Sequence, residues 1–236
     1  MSACALPTPR AQVRTAANAA EQWLLSQASV PTLATPSNIR WLSWGNGTPV
    51  VLLHDWGCDW RAWHASIAHL ARSCQVLVAE LPAQHAAPAA QQQSAKDWAQ
   101  SIQKDLHGLF AQTPFSLVAH GWGCLVAGWL VPALPQLSSL VLLGDGGHGR
   151  SPHSAAPQPD QIAALLHQQL KDLHKPMLMI WGTADDLAGS NQAAITLAMD
   201  REEREWMVLP NTHASLPQTR SKEINTMLTR WLLSHC

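Results

Sequence analysis

FSLVAHGWGCLVAG, residues 115–128, is the stretch on which the fold turns. Its first six residues, FSLVAH, read as a strand, and from Trp122 a helix is predicted over 122–134. Ala119-His120-Gly121-Trp122-Gly123-Cys124 must therefore make a sharp strand-to-helix turn. Such a turn holds its corner residue in a strained backbone conformation, so that a side chain there stands clear of the sheet. Glycine takes up the conformation without strain. Gly121 supplies the corner and presents no side chain there.

Outward from this corner, strand-like and helix-like segments alternate. Before it come IRWLSWG (39–45), the turn NGTP, VVLLH (50–54), a helix over 60–72, CQVLVAEL (74–81) and a helix over 95–110. After it come LSSLVLLG (137–144), a helix over 160–173, PMLMIWG (176–182), a helix over 191–199, REWMVLP (204–210) and a helix over 221–235. The alternation predicts an α/β fold with a doubly wound, mostly parallel sheet. Ligands of such a sheet collect at the carboxyl ends of its strands, so the loops after each apolar run carry the functional information. Residues 11–28 are Ala-rich, with Val13, Ala17, Ala20, Trp23 and Leu24 toward one helical face, and SVPTLATPSN follows as a linker. Residues 1–38 are thus expected as an N-terminal helix and linker outside a domain spanning 39–236.

Composition narrows the partners. Among 236 residues, 15 Lys+Arg face 16 Asp+Glu without a basic run, which argues against nucleic acid or an anionic membrane surface and for a small, largely uncharged ligand. Five scattered cysteines lack metal-type spacing and fit thiols in a reducing cytoplasm. No metal and no cofactor is expected. The N-terminal residues lack a secretion-type apolar core and no stretch has the length of a membrane span, so a cytoplasmic location is expected. Twelve Trp with two Phe and no Tyr are expected to fill the core.

Four segments in order resemble the landmarks of the α/β-hydrolase fold across residues 40–236. GNGTPVVLLHDWGCDWRAWHASIAHLARSCQVLVAELPAQH (45–85) is similar to its opening, a His-Gly-x-Gly loop followed by an Asp-Leu-Pro-Gly-His-Gly strand end. FSLVAHGWGCLVAG is similar to the nucleophile elbow, with Gly121 in the serine's place; IWGTADD (180–186) is similar to the loop that supplies the triad acid; LPNTHA (209–214) is similar to the loop that supplies the histidine. LLHDWGCDWRAW resembles small carboxylesterases, including the methyl ester esterases of biotin synthesis. The elbow His-x-Trp-Gly also resembles that of epoxide hydrolases and haloalkane dehalogenases, whose nucleophile is aspartate, and again Gly121 fills the slot.

The resemblance implies Asp185 as the acid, with Asp186 as its rival, His213 as the base, and the backbone N–H groups of Trp56 and Trp122 as an oxyanion hole. Asp55 replaces a glycine of the oxyanion loop, its carboxylate either facing solvent or making the site more negative, which opposes a developing oxyanion. His54-Asp55-Trp56-Gly57 imitates an aspartate elbow, yet it follows the first strong strand, and the better elbow lies downstream. His120 is expected to pack behind the elbow and Cys124 to face the sheet. Further pocket glycines have become Ala83 and Cys124, and the lid region, about 148–175, is reduced to a loop and one helix.

These features lead to a protein of carboxylesterase ancestry impaired in ester hydrolysis through loss of its serine. The alternatives are a nucleophile-independent enzyme using the His213–Asp185 dyad as general base, a non-catalytic binding protein, or an esterase with an engineered Ser-to-Gly change. The expected partner is a small ester-like or apolar molecule, with a protein partner as the other choice.

Overall fold

The apolar runs become seven strands of one sheet: β1 (Arg40–Trp44), β2 (Thr48–Leu53), β3 (Cys74–Glu80), β4 (Phe115–His120), β5 (Leu137–Leu143), β6 (Met177–Gly182) and β7 (Arg204–Leu209). Their spatial order is β1-β3-β2-β4-β5-β6-β7, with β1 antiparallel to β3 and every other pairing parallel. The doubly wound reading is therefore observed. The computed structural model describes residues 19–31, 37, 39–80, 94–144, 159–183, 199, 201–212 and 215–235, with backbone only for 159–163.

Helices occupy the connections: α1 (19–26), α2 (His64–Leu70) after a 3₁₀ turn at Trp60–Trp63, α3 (Ala95–Phe110), α4 (Trp122–Leu130), α5 (Pro159–Leu170) and α6 (Ser221–His235). α4 stops at Leu130, short of the expected 134, because Pro132 has no N–H to continue the ladder; the chain tightens into a 3₁₀ turn at Val131–Ala133 instead. The helix expected over 191–199 lies outside the described residues apart from Met199.

Successive strand residues point to opposite faces, and here both faces are covered. Val51, Leu53, Leu117, Ala119 and Leu140 pack against α3, α4 and α5, while Val50, Leu52, Val118, Val141 and Ile180 pack against Trp60, Trp63, α2 and α6. This two-sided burial is why VVLL, VLVA, SLVLL and MLMI read as unbroken apolar runs, whereas β7 at the sheet edge exposes Glu205, Trp206 and Met207. Eight of the twelve tryptophans are buried (Trp41, Trp44, Trp60, Trp63, Trp98, Trp122, Trp181, Trp231), as core filling requires, while Trp23 and Trp206 are exposed. One polar group is enclosed with them: the Asp105 carboxylate, fully buried, accepts from Ser37 and from Trp41 Nε1 and ties the approach to β1 onto α3.

Trp23 and Leu24, expected toward one helical face, differ in burial: adjacent helical residues stand about 100° apart, and Leu24 is buried while Trp23 is 63% exposed. At the described end of the N-terminal helix Leu24 joins the core, its carbonyl accepts from Trp44 Nε1 at 2.7 Å, and Glu21 pairs with Arg61. Within the region expected as a lid, residues 159–170 form α5, which packs on α4 with Leu166 and Leu170 buried, so it is part of the sheet's covering layer. Residues 145–158 lie outside the described residues. No helix among the described residues is long and apolar enough to cross a membrane.

Candidate active site

Strand order reverses between β2 and β4, since β3 lies to one side of β2 while β4, β5, β6 and β7 run to the other. A crevice opens at the carboxyl ends of strands flanking such a reversal. Leu53 pairs in register with Ala119, so the loops beginning at His54 and His120 leave the sheet side by side. Gly123 lies against the carbonyls of Leu53 and His54, which brings the start of α4 onto the end of β2.

Gly121 is the corner. Its φ of 57° and ψ of −124° belong to a region that side-chain-bearing residues enter only under strain, and its N–H donates to the Leu143 carbonyl at 3.0 Å. A strand turning into a helix here would aim any side chain outward. That space is filled by another residue: a Cβ placed on Gly121 would lie 2.2 Å from Asp55 Cγ and Oδ1 and 2.6 Å from Oδ2.

Asp55 reaches this position from the loop after β2. Its Oδ1 accepts from the backbone N–H of Trp56 at 2.7 Å and of Trp122 at 2.6 Å. Trp122 is the first residue of α4, so the positive end of the helix dipole also faces the carboxylate. Asp55 is 9% exposed, and no described Lys or Arg pairs with it. Two N–H donors and a helix terminus therefore replace the water that this charge has lost. The two donors expected to form an oxyanion hole converge on one point, and that point already holds Asp55 Oδ1. Of the two orientations expected for Asp55, the structure has the inward one: its carboxylate accepts from both of those N–H groups. The missed signal is the repeated His-x-Trp-Gly of the two loops, with a side chain present in one copy and absent in the other.

The surroundings hold this arrangement. Trp56 and Trp122 meet edge to face with ring centroids 5.0 Å apart. His54 is buried and its Nδ1 donates to the Asp55 carbonyl at 2.9 Å; burial, outweighing the nearby acids Asp59 and Asp55, keeps its proton affinity below the ordinary value of 6.5. In the fold His54 is thus neutral. Below pH 6.5 the unfolded chain takes up a proton that the folded chain refuses, so stability falls as pH drops through and below that value. Urea midpoints measured from pH 7 to pH 5 should fall less steeply in His54→Gln than in the unmodified chain; equal slopes would clear His54 of the effect.

Burial first, and then Asp55 and Asp59, push the Cys58 thiol up to about 11, so at neutral pH it is protonated and unsuited to replace the lost nucleophile. Cys124 is buried with its sulfur 3.5 Å from the Ala119 carbonyl, facing the sheet as expected. His120 packs behind the corner, edge to face with Trp63 at 6.0 Å. Asp185, Asp186 and His213 lie outside the described residues, but the strand ends leading to them are joined: Thr183 N–H donates to Leu209 O at 2.9 Å and Asn211 N–H to Thr183 Oγ1 at 2.8 Å. A cavity of about 730 Å³ lies at the other end of the sheet, between the C-terminal half of α3 and the segment before β5, lined by Lys104, His107, Leu134 and Gln136.

Residues 50–233 match the profile of the alpha/beta hydrolase family. Among curated proteins, the chain is 30% identical over 145 residues to the pimeloyl-[acyl-carrier protein] methyl ester esterase of Vibrio campbellii, covering 58% of this chain and 52% of that protein. It is 27% identical over 145 residues to the (E)-2-((N-methylformamido)methylene)succinate hydrolase of Acinetobacter baylyi, covering 60% of this chain and 53% of that one. The chain thus spans about half the length of the curated relatives it matches. Among solved structures it superposes on carboxylesterase CesB of Bacillus subtilis with a TM-score of 0.68 at 15% identity, over 95% of this chain and 100% of that one. On the naproxen esterase of Bacillus subtilis the TM-score is 0.69 at 13% identity, over 92% and 96%. At those identities the likeness is one of fold.

Proposed function

The chain belongs to the alpha/beta hydrolase family and has esterase-like ancestry, and from that premise we propose that it no longer transfers acyl groups through a serine. The crevice at the ends of β2 and β4 is kept as a site for a small ester-like or apolar ligand. The observation that carries this reading is the Asp55 carboxylate bound by the N–H groups of Trp56 and Trp122. Acyl transfer needs an attacking oxygen and free donors where the carbonyl oxygen becomes negative. Gly121 supplies no oxygen, and Asp55 already uses both donors.

His213 is proposed as a general base toward water or bound ligand, with Asp185 fixing its tautomer. The proposal involves no cofactor and places the protein in the cytoplasm. Stopped-flow mixing of the purified chain with p-nitrophenyl acetate tests it. The expected trace is linear from the start, without a burst, and no acetylated chain is found by mass spectrometry after acid quench. A burst approaching one p-nitrophenol per chain, with acetyl recovered on the protein, would overturn the reading.

A further inference from the structure

A buried carboxylate is stable when a cation or hydrogen bonds satisfy both of its oxygens, and only one oxygen of Asp55 is satisfied. Oδ1 accepts from the N–H groups of Trp56 and Trp122, whereas Oδ2 accepts no hydrogen bond among the described residues and is not sealed from solvent. The side chain is nine-tenths buried and enters no described salt bridge. The other acid of the same loop, Asp59, is already paired with Arg61 at 2.6 Å. Asp55 is thus the unmatched carboxylate of this loop. Its oxygens lie where a Gly121 side chain would stand, at the corner that opens into the crevice.

Two indoles stand beside that carboxylate. Trp56 and Trp122 meet edge to face with ring centroids 5.0 Å apart, and they carry the two N–H groups that hold Oδ1. The face of an indole is the negative part of its quadrupole, and tryptophan attracts cations more strongly than the other aromatic residues do. The same rings offer apolar surface to a hydrocarbon chain. A carboxylate next to two indoles complements a positive charge on an apolar body and repels an anion.

We infer that the crevice binds protonated primary alkylamines, the ammonium group donating to Asp55 Oδ2 and the alkyl chain lying along Trp56 and Trp122. This rests on the reading that the crevice is kept as a ligand site without serine acyl transfer, and it names the chemistry of the ligand. The ligand needs an N–H, because Oδ2 lacks a hydrogen bond that a quaternary ammonium cannot supply. It also needs the charge, because an alcohol can donate to Oδ2 but leaves the carboxylate without a counter-ion. No cation of the protein competes for the place: His54, the basic side chain adjacent in sequence, is buried and neutral.

Calorimetric titration of the full chain at pH 7 and fixed ionic strength tests this with hexylammonium, 1-hexanol and hexanoate, which share a chain and differ in head group. The expected result is one hexylammonium bound per chain, about ten- to a hundred-fold more tightly than 1-hexanol, with hexanoate the weakest. Hexyltrimethylammonium, equally charged but without an N–H, should bind more weakly than hexylammonium. Asp55→Asn, which keeps the shape and can still accept from both N–H groups, should bring hexylammonium and 1-hexanol to within about three-fold of each other while 1-hexanol binding persists. If that variant fails to fold, Gly121→Ala, whose Cβ would take the place of the carboxylate, should lose the same preference. Equal binding of hexylammonium and 1-hexanol by the unmodified chain would overturn the inference, as would an ammonium preference that survives Asp55→Asn or equal binding of hexyltrimethylammonium. The p-nitrophenyl acetate trace is independent of this outcome: a burst there refutes the loss of acyl transfer, while a linear trace without a head-group preference refutes only the ammonium site.

Discussion

Asp55→Gly/Gly121→Ser is expected to hydrolyse short-chain p-nitrophenyl esters at least about a thousand-fold faster than the unmodified chain, while Gly121→Ser alone stays near the unmodified rate. The reason is spatial. A serine Cβ at residue 121 would overlap the Asp55 carboxylate at 2.2 Å, so the single variant must push aside a side chain held by two hydrogen bonds. Even displaced, that carboxylate stays beside the donors and opposes the negative charge of a tetrahedral intermediate. Loss of one oxyanion donor costs about a hundred- to a thousand-fold, and here both are occupied.

Removing Asp55 frees the N–H groups of Trp56 and Trp122, and the serine then meets the donors it requires. Stability should move the other way from activity. At φ 57° and ψ −124° a serine carries about 1–3 kcal/mol of backbone strain, present in both variants, and the single variant bears the overlap in addition. Gly121→Ser should therefore melt below the double variant. Steady-state kcat/KM and thermal midpoints of the three proteins check the pair of expectations. A single variant as active as the double would show that Asp55 does not obstruct the hole; a folded but inert double variant would count against His213 and Asp185 as base and acid.

The strands were legible because their burial is two-sided: VVLL, VLVA, SLVLL and MLMI admit few other readings, and each became a parallel strand. Helix ends were less legible, since Pro132 acts through a hydrogen bond it cannot make, which composition alone understates. The corner at Gly121 was legible because a strand running straight into a helix demands it. The position of the Asp55 carboxylate was not, because it depends on two loops 67 residues apart in sequence meeting at one point, and on the empty place that Gly121 leaves. Local pattern carries no such contact. The signal was present only as the duplicated His-x-Trp-Gly, which acquires meaning once β2 and β4 are known to be neighbours.

Gly182→Ala is expected to lower stability by about 3 kcal/mol, roughly 10 °C in thermal midpoint for a domain of this size. Gly182 ends β6, and a Cβ there would come within 1.9 Å of the Thr212 carbonyl oxygen and 2.6 Å of its carbon. These are backbone atoms, so no rotamer change relieves the overlap. Nor can the 210–212 segment retreat easily: Thr212 Oγ1 donates to Pro210 O and accepts from Arg220, Asn211 N–H donates to Thr183 Oγ1, and Asn211 already holds a φ of 52°. The glycine of the Gly-x-x-Asp loop is thus needed for close approach between the strand end leading to Asp185 and the one leading to His213. If those residues act together as proposed, Gly182→Ala placed on Asp55→Gly/Gly121→Ser should reduce kcat by about a hundred-fold at temperatures where the chain is still folded, because a 1 Å displacement of a base costs that much. Unchanged kcat in a destabilised variant would mean that the two loops need not touch for catalysis, and would remove the physical reason for pairing Asp185 with His213.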